Sequence, residues 1–343
     1  MQTAAQQYDF ELIAEGFDTP WAFGFLPDGS LLVTERDGKL LYLSGANRVE
    51  VSGLPEVETD GQGGLLDVLI PRDFNKTRDI YLTYVVKQGW RGAGTALMRG
   101  TLSSDGQRLD NVQTLFEMSK GSSGGRHFGS RLVEAPDGSL LMTLGDRADR
   151  DSAQDLSRHN GSILRLDRNG KPAAGNPFVG AATAQPEIWS FGHRNPQGLA
   201  VDPEGQLWAV EHGARGGDEL NKLTAGANFG WPVISYGVHY SGFKIGEGQE
   251  KDGMEQPEHY WDPSIAPSGL AFHDGRGKAE WAGDAFVGSL KFDYIARMSG
   301  KPMLEVEQIS GPETERVRDV RQGPNGAIWF LSVGNGALFR IAQ

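Results

Sequence analysis

One short pattern, repeated four times, constrains this chain more than any other feature. It reads Leu26-Pro-Asp-Gly-Ser-Leu-Leu-Val-Thr34, Ala135-Pro-Asp-Gly-Ser-Leu-Leu-Met-Thr143, Asp202-Pro-Glu-Gly-Gln-Leu-Trp-Ala-Val210 and Gly323-Pro-Asn-Gly-Ala-Ile-Trp-Phe-Leu331. Each copy is a β-hairpin signal: proline presets φ for the turn, the acidic or amide residue with glycine supplies the turn geometry, and the apolar run that follows is the return strand. Two degenerate copies fill the long gaps, Gly64–Ile70 with Asp79–Tyr84 and Gly269–Phe272 with Asp284–Val287. The result is six units of roughly 40 to 80 residues. Each carries further strands, such as Leu40–Leu43, Ser162–Leu166 and Leu338–Ile341. Repeats of this period with several strands apiece predict an all-β fold, a six-bladed β-propeller of four-stranded antiparallel blades. No helical period is sustained anywhere, which removes α/β folds. The chain 1–343 is read as one propeller domain whose residues 1–9 form a disordered tail.

Composition narrows the function. There are 48 glycines and 17 prolines in 343 residues, without a collagen period, as suits a chain that turns often. Lys and Arg number 33 against 45 Asp and Glu, a net charge of −12, which argues against a sequence-independent grip on nucleic acid or anionic lipid. No apolar run is long enough for a membrane span. The absence of cysteine removes disulfides, thiolate metal sites, iron–sulfur clusters and cysteine nucleophiles. No metalloprotease, P-loop or dinucleotide fingerprint is present.

In a propeller the loops at one end of the central channel converge, so candidates for chemistry are sought there. His127 stands ahead of a strand whose hairpin partner ends in Leu144-Gly-Asp146, so the turn brings Asp146 back beside it. A carboxylate there fixes the imidazole tautomer and raises its basicity, as a general base requires. His193-Arg194-Asn195-Pro196 places a cation and an amide donor in a turn, an arrangement useful for binding an anion or oxyanion. Lys291, Arg316 and Arg318 add three cations in late loops, and alternation puts both arginines on one face if that segment is extended. The irregular stretch from Ala227 to Pro267 holds Trp231, Tyr236, Tyr240, Tyr260 and Trp261, which either wall a ring-shaped ligand or pack on the blades.

Several motifs together resemble the soluble glucose/sorbosone dehydrogenase family. They are Gly61-Gln-Gly-Gly-Leu-Leu66, His127 with Ser130-Arg-Leu-Val133, Leu144-Gly-Asp146, Gly192-His-Arg-Asn-Pro-Gln-Gly-Leu199, Glu211-His-Gly213 with Asp218-Glu219, and Asn228-Phe-Gly-Trp-Pro232. The compact loops look closest to the aldose sugar dehydrogenase branch. The resemblance runs from about Phe17 to the C-terminus and implies a six-bladed propeller that uses pyrroloquinoline quinone and calcium. It implies His127 as general base, Asp146 as its orienting partner and Arg194 as stabiliser of charge on the quinone oxygen. Gln62 and Asn195 are implied as cofactor hydrogen-bonders, His127 and Arg194 as cofactor contacts besides their catalytic roles, and Lys291, Arg316 and Arg318 as cations facing the tricarboxylate. Gly213 and Ala214 are implied to hold calcium through their main-chain oxygens.

The implied reaction oxidises the anomeric C1 of aldoses to lactones, with a quinone or a redox protein as electron acceptor. Two positions depart from the glucose dehydrogenase pattern: Arg126 stands where that enzyme carries an acidic residue, and Ala214 where it has proline. The resemblance also implies export to the periplasm, and a monomer is the expected state. Two other readings stay open from the residues alone, a calcium-dependent lactonase-type propeller hydrolase and a non-catalytic ligand-binding propeller.

Overall fold

The computed structural model describes residues 8–119 and 122–342. Six four-stranded antiparallel sheets stand around a central channel as the blades of a propeller. Five blades are continuous in sequence, spanning residues 20–50, 65–117, 132–191, 196–261 and 267–310. The sixth takes three strands from residues 317–341 and its outermost strand from the other end of the chain: Phe10–Glu15 runs antiparallel to Ala337–Ile341, with Phe10 opposite Ile341. Of the expected tail, residues 1–7 lie outside the described residues. Tyr8 and Asp9 depart from it, because the Tyr8 hydroxyl donates to Glu307 at 2.8 Å and the Ala342 amide donates to the Asp9 carbonyl.

The repeats form hairpins as their chemistry dictates. Asp28 Oδ1 accepts hydrogen bonds from the Ser30 amide at 3.0 Å and hydroxyl at 2.5 Å, and Asp137 does the same for Ser139 at 2.9 and 2.6 Å. Both degenerate copies also pair as hairpins, Leu65–Leu69 with Asp79–Lys87 and Pro267–Phe272 with Ala285–Ser289. The inner two strands of a blade are covered on both faces by neighbouring blades and therefore read as unbroken apolar runs, as in Leu31–Glu35, buried at every position. Outer strands such as Leu304–Ser310 instead alternate between exposed and more sheltered residues.

A threonine on the second strand stitches each of three blades to the next. Thr34 Oγ1 donates to the Leu66 carbonyl at 2.6 Å, Thr83 to Ser130 at 2.8 Å and Thr143 to Pro196 at 3.0 Å. Deeper in the channel Arg131 lies 2.8 Å from Asp319 and 3.6 Å from Asp67, while Arg321 bonds the same carboxylates at 2.9 and 2.6 Å. These four charges, of which Arg321 alone is partly exposed, join blades 2, 3 and 6 and balance one another. The hairpin turns of the repeats lie at one end of the channel, so the loops between blades, and those from second to third strands, open at the other. His127, Asp146, Arg194, Gly213, Lys291 and Arg316 all fall in that second set.

Candidate active site

His127 and Asp146 meet as the hairpin predicts, with Nδ1 2.7 Å from Asp146 Oδ1. Asp146 is buried, and its other oxygen accepts the Trp231 indole N–H at 2.8 Å, while Oδ1 also accepts the Ala148 amide at 2.7 Å. A carboxylate held by three donors keeps the proton on Nδ1, so Nε2 carries the free lone pair. Burial lowers the basicity of His127; the Asp146 hydrogen bond works against this, and the Arg194 charge adds to it. The backbone here is strained: His127, Arg147 and Ala148 have φ of 56°, 57° and 61°. Each costs on the order of 1 kcal/mol for a non-glycine residue and persists only where surrounding contacts over-determine it. One such contact is a close approach at Gly145, where an added Cβ would lie 2.1 Å from the His127 carbonyl oxygen.

Around Arg194 the chain is organised by Glu211. Its carboxylate accepts the Arg194 amide at 2.7 Å and His193 Nδ1 at 2.8 Å, so the local acid holds the turn's backbone and leaves the guanidinium free to point elsewhere. His193 is wholly buried, stacked on Phe229 and bonded to Ser190, which makes it a structural residue. The Arg194 guanidinium lies over the Trp231 ring and donates to the carbonyls of His212 and Gly213. Asn195 Oδ1 accepts from the Gly129 amide and from Gln197 Nε2, both at 3.2 Å.

Gln62, Asn195, Lys291, Arg316 and Arg318 line one cavity of about 500 Å³. Arg36, His212 and Gln197 share its wall, so four cations face it, and no lining residue carries a carboxylate. Arg318 shows the consequence: burial, and then the charges of Arg131, Arg316 and Arg36, push its pKa down to about 9. An anion in the cavity would relieve that repulsion. His212 is pushed down to about 3 by burial and by Arg194 and Arg318, so it is a neutral wall residue whose Nε2 bonds the Pro267 carbonyl. His127, Asp146 and Arg194 are not in the lining; His127 adjoins it through its amide, which donates to the lining residue Gln62 at Oε1, 2.8 Å away.

Not every expectation is met in the form stated. Arg316 lies before the strand and takes a left-handed φ of 54°, so the extended alternation with Arg318 is absent, although both reach the cavity. Gly213 and Ala214 lie behind Arg194 and do not line the cavity; Ala214 packs against the cluster of Ala153, Trp231 and Ile245. The aromatics of the long loop divide. Trp231 and Trp261 are buried, Tyr236 stacks on Tyr260 at 4.1 Å, and Tyr240 is exposed. Trp231 serves the site as a hydrogen-bond donor to Asp146. Arg36 was missed by sequence reasoning, because its approach to residues 61 and 62 comes only from neighbouring blades; its Nη1 donates to the Gly61 carbonyl at 2.5 Å.

The residues present can be tested against the groups the motifs imply. Four cations with amide donors and no acid fit a planar tricarboxylate. Around Gly213 a Cβ would lie 2.3 Å from the carbonyl oxygens of Gly216 and Gly217, so the loop packs neutral oxygens closely, the donor type a hard cation such as calcium takes. Among the described residues no cluster of acidic and histidine side chains forms a metal site.

Comparison with known proteins shows the family. The family model described as Glucose / Sorbosone dehydrogenase matches residues 17–340. The chain is 40% identical over 341 residues to aldose sugar dehydrogenase YliI of Escherichia coli K12, covering 97% of this chain and 92% of that one. It superposes on the apo-form crystal structure of the soluble E. coli aldose sugar dehydrogenase with a TM-score of 0.95 at 39% identity, over 98% and 99% of the two chains. On the PQQ-bound form of aldose sugar dehydrogenase from Streptomyces coelicolor the TM-score is 0.81 at 25% identity, over 97% of each chain.

Proposed function

The chain belongs to the glucose/sorbosone dehydrogenase family, and from that premise we propose that it oxidises aldoses at C1 to lactones, using pyrroloquinoline quinone and calcium. The observation that carries this reading is a cavity faced by four cations and no acid, with the His127–Asp146 pair joined to its lining through the His127 amide bond to Gln62. When bound, the quinone would supply the hydride acceptor at C5, and calcium, which Gly213 and Ala214 would hold through their main-chain carbonyls, would supply Lewis-acid polarisation. The protein's own residues supply the rest. His127 Nε2 takes the proton of the anomeric hydroxyl, which lets C1 release hydride as the C1–O double bond forms. Asp146 holds the resulting imidazolium. Lys291, Arg316, Arg318 and Arg36 bind the carboxylates, Gln62 and Asn195 orient the ring system, and Arg194 stabilises negative charge on the reduced oxygen. Electrons then leave to a quinone or redox-protein acceptor, and a periplasmic location belongs to the same proposal on the strength of the family resemblance.

Titration of the calcium-loaded apo-protein with pyrroloquinoline quinone, followed by absorbance, tests this. Saturable binding at one per chain and bleaching of the oxidised cofactor on addition of an aldose are expected; absence of binding overturns the proposal. The pH profile is a second check. Catalysis needs neutral His127, whose pKa burial lowers from 6.5. As pH falls the base becomes protonated, so kcat/KM should stay flat through neutrality and decline only below the ordinary histidine value. An acid limb above it would contradict the assignment.

A further inference from the structure

Arg147 follows Asp146 directly and is among the largest wholly buried side chains of the protein. A buried arginine normally meets a carboxylate, yet among the described residues this one forms no ion pair with an acid. Its guanidinium instead donates to three main-chain carbonyls, those of Arg126, Ala93 and Ser122, and lies 3.4 Å from the centroid of the Phe128 ring. Two of those contacts flank the base: Arg126 precedes His127 and Phe128 follows it. The other two reach the beginning of the same loop, at Ser122, and the neighbouring blade, at Ala93. Burial pulls the Arg147 pKa down to about 10, with the nearby Asp146 charge acting against it, so its charge is held at a cost.

The geometry assigns Arg147 as a positioning residue: it clamps the loop on both sides of His127 to the segment that carries Asp146, and so holds the imidazole in register with its carboxylate. Three strained residues mark this junction, His127 on one segment and Arg147 with Ala148 on the other. Without a clamp each would relax toward ordinary φ values and the two segments would part. The stacked ring and the fan of carbonyls use the planar face and the two terminal amino groups of a guanidinium, while its buried Nε has no hydrogen-bond partner; an ammonium group cannot reproduce that arrangement. This inference rests on reading His127 as the base, since only then does its register matter to turnover.

The test uses full-length Arg147→Met and Arg147→Lys proteins and two independent readouts. The first is the imidazole NMR spectrum of the apo-protein, in which the low-field Nδ1–H proton of His127 is identified by its disappearance in His127→Ala. Arg147→Met should shift that resonance upfield or broaden it beyond detection. The second is kinetics of the quinone-loaded enzyme. Arg147→Met should lower kcat by about 10- to 100-fold, the range set by a misplacement near 1 Å, with aldose KM and quinone affinity little changed. Arg147→Lys should recover only a small part of the rate. A lower melting temperature with the resonance and kcat both intact would mean that Arg147 is only structural, and would overturn the inference. If Arg147→Met does not fold, Phe128→Leu removes the stacked face alone and should move both readouts in the same direction to a smaller extent; no movement overturns the inference equally. Wild-type protein that fails to oxidise any aldose, while Arg147→Met still disturbs the His127 proton, refutes the proposed activity and leaves the clamp standing.

Discussion

Replacing His127 by alanine should lower kcat for aldose oxidation by about 10²- to 10⁴-fold, the contribution of a well-placed general base, while quinone affinity changes little. The two effects separate because different atoms carry them. Proton removal depends on Nε2, freed by the 2.7 Å bond between Nδ1 and Asp146. On the proposed reading cofactor binding rests instead on Arg36, Lys291, Arg316 and Arg318 on the cavity wall, and on Gln62, which His127 contacts through a backbone amide that alanine retains. Stopped-flow measurement of cofactor reduction, beside an absorbance titration, reads both. A reduction rate close to that of the wild type would remove His127 from the role of base, and equal losses in rate and affinity would make it a cofactor ligand.

The second large effect is on stability. Arg131→Met should destabilise the protein by about 3–5 kcal/mol, the cost of leaving buried charge without its partner. Asp319 loses a contact at 2.8 Å and Asp67 one at 3.6 Å; both carboxylates are buried, and beside the backbone amides of Phe23, Val68, Leu132 and Val320 the cation left to them among the described residues is Arg321. The same side chain donates to the carbonyls of Gln197 and Arg318, so the loss reaches the floor of the cavity. Urea unfolding of Arg131→Met, Asp67→Asn and the double variant measures it. The double variant should lose less than the sum of the singles, because the second change removes a charge that the first stranded. Losses that simply add would show that the two residues do not share one network.

What the sequence discloses depends on how far apart the interacting residues lie. Hairpin turns are local, so Pro27-Asp28-Gly29 and Pro136-Asp137-Gly138 announce themselves, and with them the number and type of the blades. The pairing of His127 with Asp146 is nearly local as well, because one hairpin of known chemistry returns the chain to its start. Arg36 is different: nothing in its surroundings distinguishes it from a solvated arginine until neighbouring blades bring residues 61 and 62 against it. Arg147 is concealed for a related reason, since its partners are main-chain carbonyls, which leave no trace in residue type. Phe10–Glu15 was likewise passed over, because an outer strand is half-exposed and its partner is at the opposite end of the chain.

That last strand gives the molecule the character of a clasped ring. Because Phe10–Glu15 completes the blade built from residues 317–341, the circle cannot shut until Ala337–Ile341 has been synthesised, and a strand made more than 300 residues earlier must wait for it. Arg316 and Arg318 are carried at the inner edge of that closing blade, opposite Gln62 of the second blade and Asn195 of the fourth. Any anion that engages all of them would tie that blade to the rest of the ring, so occupancy of the cavity and closure of the clasp would be thermodynamically linked: a bound anion would act as a rivet, and a chain whose strand 10–15 is cut loose should hold it more weakly.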